Sequence, residues 1–162
     1  MRIHTTAAIS ALCIAFCTVG VAQADEVPPP FQNRPTPAAC YNSVPTIVGA
    51  GVIVGGPGAD VIFGSAGPDT IFGMGGDDVI VGLGDNDTVF GGTGDDLICL
   101  GWGNDQAQGG ADDDTVYGEP GDDDMRGGDG MDLLSGDPNF DRGDGELGFD
   151  YCSPSTEVQI SC

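Results

Sequence analysis

The sequence has almost no basic side chains. It contains no lysine and only four arginines, against 26 acidic residues, for a formal net charge of -22 over 162 residues. A nucleic-acid-binding protein needs clustered Lys and Arg to displace phosphate counterions. An anionic membrane surface attracts the same basic side chains. We therefore expect neither nucleic acid nor a membrane surface as a partner.

Histidine and long apolar runs are also scarce. The one histidine lies within residues 1–24, which resemble a signal peptide: Arg2 supplies a basic start, 7–22 are apolar, and Ala22-Gln23-Ala24 precedes the predicted cleavage. Cleavage after Ala24 leaves no histidine, which excludes histidine-based triads and histidine zinc sites. No later stretch approaches the roughly 20 apolar residues of a membrane span. We predict a secreted chain without membrane insertion; a retained N-terminal anchor is the alternative.

Four of the six cysteines lie beyond residue 24, at Cys40, Cys99, Cys152 and Cys162. An even number in an exported chain favours disulfides. Of the three possible pairings we favour Cys152 with Cys162, because the two segments flank a Ser-Pro-Ser turn, which leaves Cys40 with Cys99. Free thiols are the alternative.

Glycine, in contrast, is abundant, with 29 residues, and its spacing is regular. From Gly55 a nine-residue unit repeats without insertion for ten copies, beginning GGPGADVIF and GSAGPDTIF and fading at GDPNFDRGD. Position one is Gly in nine copies and fails at Leu100, position four is Gly in seven, and position eight is apolar in nine. Position six is Asp in all ten copies: Asp60, Asp69, Asp78, Asp87, Asp96, Asp105, Asp114, Asp123, Asp132 and Asp141.

This period predicts a coil of alternating turns and short strands. Glycines at positions one and four suit a tight turn with positive φ angles. Residues seven to nine then alternate outward, inward and outward, as in a strand. If successive copies lie on opposite sides, residues 18 apart stack at about 4.8 Å. The aspartates then form one row on each edge, with five members in each.

The unit resembles the GGxGxDxUx nonapeptide of the repeats-in-toxin (RTX) proteins. The resemblance covers residues 55 to 141. It implies an all-β fold, a parallel β-roll that is a right-handed β-solenoid with two repeats per coil, in which calcium ions lie between stacked turns and are bridged by the position-six aspartates. RTX repeats normally follow a protease, lipase or toxin domain, for which this chain has no room. A toxin role is therefore not expected.

The rows of aspartates favour calcium for a physical reason as well. Two carboxylates about 4.8 Å apart repel by roughly 3 to 4 kcal/mol at an effective dielectric of 20, so the rows need neutralisation. Calcium accepts six to eight oxygen ligands at flexible distances, whereas zinc prefers Cys or His and magnesium retains its waters. Five aspartates per edge frame four gaps, so about eight ions is the ceiling. We expect fewer, because Leu100 and the irregular tenth copy disturb the turns.

Two sets of acidic residues in the turns have less certain roles. Asp85 and Asp112 replace glycine at position four, where they either add ligands or strain the turn. The acids at position five are predicted to be solvated charges that attract cations, with direct metal ligation as the less favoured alternative. They are Asp77, Asp95, Asp113 and Asp122.

The remaining segments are predicted from composition. Residues 25–43 form a proline-rich leader, extended or disordered over 25–39; 44–54 form an N-terminal coil without a metal site, since Gly51 replaces Asp; 55–144 form the β-roll; and 145–162 form a disulfide-closed hairpin cap. Apolar side chains at positions seven and nine form an outward stripe that needs a cover, which a Cys40–Cys99 disulfide would fix there. A dimer or partner surface is the alternative. The stripe comprises Val61, Phe63, Val79, Val81, Leu97 and Cys99.

These features predict a secreted calcium-binding β-roll protein that folds or stiffens when calcium binds. The alternative is a calcium-dependent cell-surface adhesion or spacer protein, contacting a surface ligand or another copy through Phe63, Phe72, Phe90 and Tyr117. We do not expect an enzyme, because acidic pairs are abundant here for metal binding and carry no catalytic information.

Overall fold

Each nonapeptide folds as one turn and one short strand, as its glycine and apolar positions predict. The computed structural model describes residues 37–137, 139–153, 158–159 and 162, the pair 158–159 by their backbone alone. The predicted signal peptide and residues 25–36 of the leader lie outside this range. The described elements are α1 (Pro37–Tyr41), β1 (Ile47–Val48), β2 (Val52–Val54), β3 (Val61–Phe63), β4 (Thr70–Gly75), β5 (Val79–Gly84), β6 (Thr88–Thr93), β7 (Leu97–Trp102), β8 (Gln106–Ala111), β9 (Thr115–Tyr117), β10 (Asp124–Gly130), β11 (Leu133–Ser135), β12 (Arg142–Gly148), β13 (Tyr151–Cys152) and β14 (Val158–Gln159).

Successive strands alternate between two parallel sheets, which makes the fold a β-solenoid. Sheet A contains the odd-numbered strands in the order β1-β3-β5-β7-β9-β11-β13, and sheet B contains the even-numbered strands in the corresponding order. From β2 to β13 every pairing joins residues 18 apart, as in Ile62 with Ile80 and Ile71 with Val89. This register places the same repeat position in vertical columns, so the predicted two repeats per coil are confirmed.

From β2 to β11 each strand contributes an inward side chain at position eight to the core between the sheets. The position-eight residues from Ile62 to Leu134 are all buried, with exposed fractions of 0–4%. Ile53 and Cys152 extend the same column to the first and last coils. Leu100, which replaces a turn glycine, is fully buried in this core. It therefore adds apolar contact while the coil keeps its register there.

The N-terminal segment covers the outward stripe of sheet A. Pro37–Tyr41 is a short helix that packs on β5 and β7, where the sequence predicted an extended leader up to residue 39. Proline suits the first helical position because its fixed φ angle is already helical. Cys40 and Cys99 form a disulfide, and Cys40 is buried with Val81 and Tyr117. Both the predicted cover and the predicted pairing are present.

The C-terminal residues continue the coil, and the predicted hairpin is wrong. β12 pairs in parallel with β10, β13 with β11, and β14 with β12, whereas a hairpin would pair neighbouring strands antiparallel. The Cys152–Cys162 disulfide closes this last part, as expected. Among the described residues, no helix has the length and apolar character needed to cross a membrane.

Candidate metal centres along the turns

The position-six aspartates form two continuous rows, one along each edge of the coil. In each row the backbone N–H of one Asp donates to Oδ1 of the Asp 18 residues later. The distance is 2.7 Å from Asp60 to Asp78 and 2.9 Å from Asp78 to Asp96. At the start of the other row, the N–H of Gly51 donates to Asp69 Oδ1. All ten predicted residues are thus brought together in stacked pairs.

One row has an additional member beyond the ten predicted aspartates. The Asp132 N–H donates to Asp150 Oδ1 at 3.0 Å, which continues the row by one coil. Residues 145–153 read GELGFDYCS, with Gly, Gly and Asp at positions one, four and six, so the signal was present in the spacing. The rows are Asp60, Asp78, Asp96, Asp114, Asp132 and Asp150 on one edge, and Asp69, Asp87, Asp105, Asp123 and Asp141 on the other. They frame five and four gaps, against the four and four predicted.

The carboxylates of these rows are buried away from any basic side chain that the structure describes. Asp60 is half-buried, and the other nine predicted residues have exposed fractions of 0–3%. The two described arginines, Arg126 and Arg142, instead pair with Asp124 and Asp144 on sheet B. Along the rows, a second carboxylate oxygen is buried without a hydrogen-bond partner in Asp78, Asp87, Asp96, Asp105, Asp114 and Asp123.

Burial raises the pKa values of several central carboxyl groups in the rows. It raises the pKa of Asp114 and of Asp123 to about 8, of Asp96 to about 7, and of Asp87 to about 6. Desolvation is the largest cause; neighbouring carboxylates raise the pKa further, and the hydrogen bond from the preceding Asp N–H partly opposes both. Without a counter-ion, Asp114 and Asp123 therefore hold protons at neutral pH, Asp96 is about half protonated there, and Asp87 is mostly ionised.

The turn glycines make room for these carboxylates. A Cβ on Gly118, at position one, would lie 2.5 Å from Asp123 Oδ2, so close packing excludes a side chain there. Positive φ angles occur instead at positions two and four, for example 104° at Gly101 and 151° at Gly103. The prediction of positive φ at position one is therefore wrong, so the backbone conformation there does not exclude Leu100, whose side chain enters the core.

The acids at positions four and five also have defined contacts. Asp85 and Asp112 adopt left-handed φ angles of 67° and 81°, which Asp tolerates better than most residues. Asp112 Oδ2 accepts the Gly94 N–H at 3.2 Å. At position five, Asp77 Oδ1 accepts the Asp95 N–H at 3.2 Å. The position-five side chains thus join stacked turns, a role that the solvated-charge interpretation missed.

The donor set of the turns suits a hard cation. A Cβ on Gly103 would collide with the carbonyl oxygen of Asp85 and lie 3.0 Å from Asp105 Oδ1, so this glycine borders a space lined by oxygen atoms. Within the described residues, no three His, Cys, Asp or Glu side chains converge as a metal cluster. Side chains alone would therefore not surround an ion between two turns. Such an ion would combine paired carboxylates with backbone carbonyls, an all-oxygen set typical of calcium.

Comparison with known proteins agrees with this geometry. The model of the RTX calcium-binding nonapeptide repeat matches four overlapping stretches, at residues 54–89, 63–98, 72–107 and 100–134, which together cover half of the chain. No curated protein matches the sequence.

Proposed function

Because the chain belongs to the RTX calcium-binding nonapeptide-repeat family, we propose that it is a secreted calcium-binding β-roll protein that folds or stiffens when calcium occupies the gaps between stacked turns. The ten predicted aspartates and Asp150 are the proposed ligands. Members of this family are structural or calcium-binding proteins and are typically extracellular. The two disulfides support the same compartment.

The observation that carries the proposal is the burial of stacked carboxylates without a described basic partner. Calcium would supply positive charge at each gap, where carboxylates repel one another through a desolvated space. The aspartates of successive coils would hold the turns in register, and the glycines would keep their carbonyl oxygens accessible. Since this arrangement exists only in the coiled chain, ligand binding there favours folding.

Calorimetric titration of the full chain with CaCl₂ tests the proposal. We expect several calcium ions per chain, at most nine because the rows frame nine gaps, and much weaker binding of MgCl₂. A chain that binds no calcium, or binds both cations equally, would contradict the proposed function. Asp150→Asn should remove binding in one terminal gap, whereas Asp129→Asn, a substitution at an exposed residue outside both rows, should leave the stoichiometry unchanged.

Calcium-dependent adhesion or spacing remains the second proposal, with fewer aromatic contacts than the sequence predicted. Tyr117 is 9% exposed and lies in the cluster beneath α1, and Phe63 packs against the same cluster. Phe72 and Phe90 lie on the other sheet, with their rings stacked at 5.0 Å. The four aromatic residues therefore do not form one surface, and only the last two remain candidates for contact with a partner.

A further inference from the structure

The outward face of sheet B carries accessible apolar side chains at its N-terminal end. Val52 and Val54 are 72% and 53% exposed, and the stacked rings of Phe72 and Phe90 continue the same face. Helix α1 packs on sheet A. Contiguous apolar surface of this kind marks an interaction site more often than a solvated face.

The strand register arranges this face into two columns. The position-seven column contains Val52, Thr70, Thr88, Gln106, Asp124 and Arg142. The position-nine column beside it contains Val54, Phe72, Phe90, Gln108, Arg126 and Asp144. The face is thus apolar at its N-terminal end, amide-bearing in the middle and charged at its C-terminal end.

The four charged residues alternate in sign in both directions. Asp124 lies beside Arg126 in one coil, and Arg142 lies beside Asp144 in the next. Arg142 also contacts Asp124 at 2.7 Å along the column. If the position-seven column of one copy faced the position-nine column of a second copy, every charge would therefore lie opposite a charge of the other sign.

A two-fold axis parallel to the coil axis relates two copies in this way. When two copies face each other across such an axis, the position-seven column of one copy lies opposite the position-nine column of the other, at the same height. Asp124 then meets Arg126 of the second copy, and Arg142 meets Asp144. The same operation places valine against valine, Thr88 against Phe90 and Gln106 against Gln108. An axis perpendicular to the coil would instead place the apolar end of a fully overlapped face against its charged end.

We propose that the outward face of sheet B is a homodimer interface in which two copies pair side by side, with their coils parallel. An isologous contact requires a self-complementary surface, and this face has both the apolar and the charge complementarity. Its six described coils span about 24 Å at the usual strand spacing. That is small for a permanent dimer, so we expect reversible, concentration-dependent association.

Calcium dependence of this dimer rests on the proposed function. The chain carries 26 acidic residues against four basic ones, and two metal-free copies would repel each other strongly. Ions bound along the turns would reduce that repulsion. The dimer should therefore form in calcium and weaken in chelator.

Sedimentation equilibrium of the full chain in CaCl₂, from micromolar to millimolar protein, tests the proposal. We expect a reversible monomer–dimer equilibrium. Asp124→Arg or Arg126→Asp alone places like charges opposite each other, and should raise the dimer dissociation constant at least about tenfold. An equimolar mixture of these two variants should recover dimerisation, because the arginine introduced in one chain then faces the aspartate introduced in the other. Asp129→Arg changes the net charge as Asp124→Arg does, but lies outside the two columns, and should leave the equilibrium unchanged.

Circular dichroism of the same samples separates the two proposals. A chain that folds with calcium yet stays monomeric throughout contradicts the dimer alone, whether solvent or residues 25–36 cover the face. A dimer unaffected by both charge reversals, or variants that do not recover association when mixed, also overturns the assigned interface. A chain with no calcium response contradicts the proposed function itself.

Discussion

The strands and the turns of this coil bury opposite kinds of side chain. From β2 to β11 each strand contributes an inward apolar residue to the core cluster, whose members are 0–6% exposed. Each turn contributes a carboxylate, and nine of the ten predicted carboxylates are 0–3% exposed. The apolar column gains free energy from burial alone, whereas buried carboxylates require a proton or a cation. The strands are therefore stabilised without a ligand, whereas the turns are stabilised only when a proton or a cation neutralises their carboxylates.

Truncating a core side chain should lower the free energy of unfolding more than any other substitution considered, and that effect should not depend on calcium. Ile98 is fully buried in the central coil. We expect Ile98→Ala to lower the free energy of unfolding by about 2 to 5 kcal/mol through lost contacts and a cavity. Urea denaturation in CaCl₂, and in metal-free acidic buffer where the carboxylates are protonated, measures it. If Ile98→Ala lowered the free energy of unfolding only in CaCl₂, the core of the strands would depend on calcium as the turns do, and the prediction would be wrong.

Neutralising a central carboxylate should, in contrast to truncating the core, have an effect that depends on calcium. Asp96 borders two gaps, so Asp96→Asn should weaken calcium binding there by about 10- to 100-fold, which is about 1.4 to 2.8 kcal/mol per site. In metal-free buffer at pH 5, where protonated carboxyl groups allow the coil to form, the same variant should be about as stable as the wild type, because the Asn amide replaces an uncharged carboxyl group. Calcium titration and urea denaturation of both proteins measure the two quantities.

The end of the row supplies the matched control for this variant. Asp60 is half-buried and borders one gap with Asp78. Asp60→Asn should therefore weaken fewer sites than Asp96→Asn and leave most of the calcium affinity in place. If both variants lost the same amount of calcium affinity, the number of gaps beside each aspartate would not matter, which would contradict the binding of ions in the gaps between neighbouring turns.

The pH dependence should be smaller and graded. The pKa values of Asp87, Asp96, Asp114 and Asp123 are raised to between about 6 and 8, above the ordinary unfolded value near 3.9. A raised pKa means that the folded chain holds more protons than the unfolded chain. The resulting stability of the metal-free coil is complete below about pH 4 and is lost as the pH rises through 6 to 8.

Calcium and protons should therefore compete for the same carboxylates. Metal-free protein should show more β-structure by circular dichroism at pH 5 than at pH 8.5, and calcium should bind more tightly at the higher pH. The reverse trend in either measurement would show that the rows do not titrate as described.

Much of the fold could be predicted because the repeat fixes the register. An 18-residue stacking distance places Asp60 and Asp78, or Ile62 and Ile80, in the same column without further information. The cover over sheet A was also predictable, since Val81 and Cys99 point outward and could not form a solvated face. Periodicity and hydrophobicity together therefore determine both the two sheets and the two rows of aspartates.

The remaining features depend on packing that the repeat does not encode. Asp150 was missed because the irregular tenth copy precedes it and Cys152 takes the apolar position. The helix at Pro37–Tyr41 is too short for a periodic signal and depends on its contacts with β5 and β7. Leu100 was interpreted as a defect because position one was assumed to need a positive φ angle, whereas no positive φ occurs there and the Leu100 side chain packs in the core.

The most direct test of the central claim is far-ultraviolet circular dichroism of the full chain at pH 8 during a calcium titration, with magnesium as the control. We predict little β-structure in chelator, a cooperative gain of β-signal with CaCl₂, and no comparable gain with MgCl₂. A full β-signal in EDTA at this pH would show that the carboxylate rows need no cation and would contradict the account.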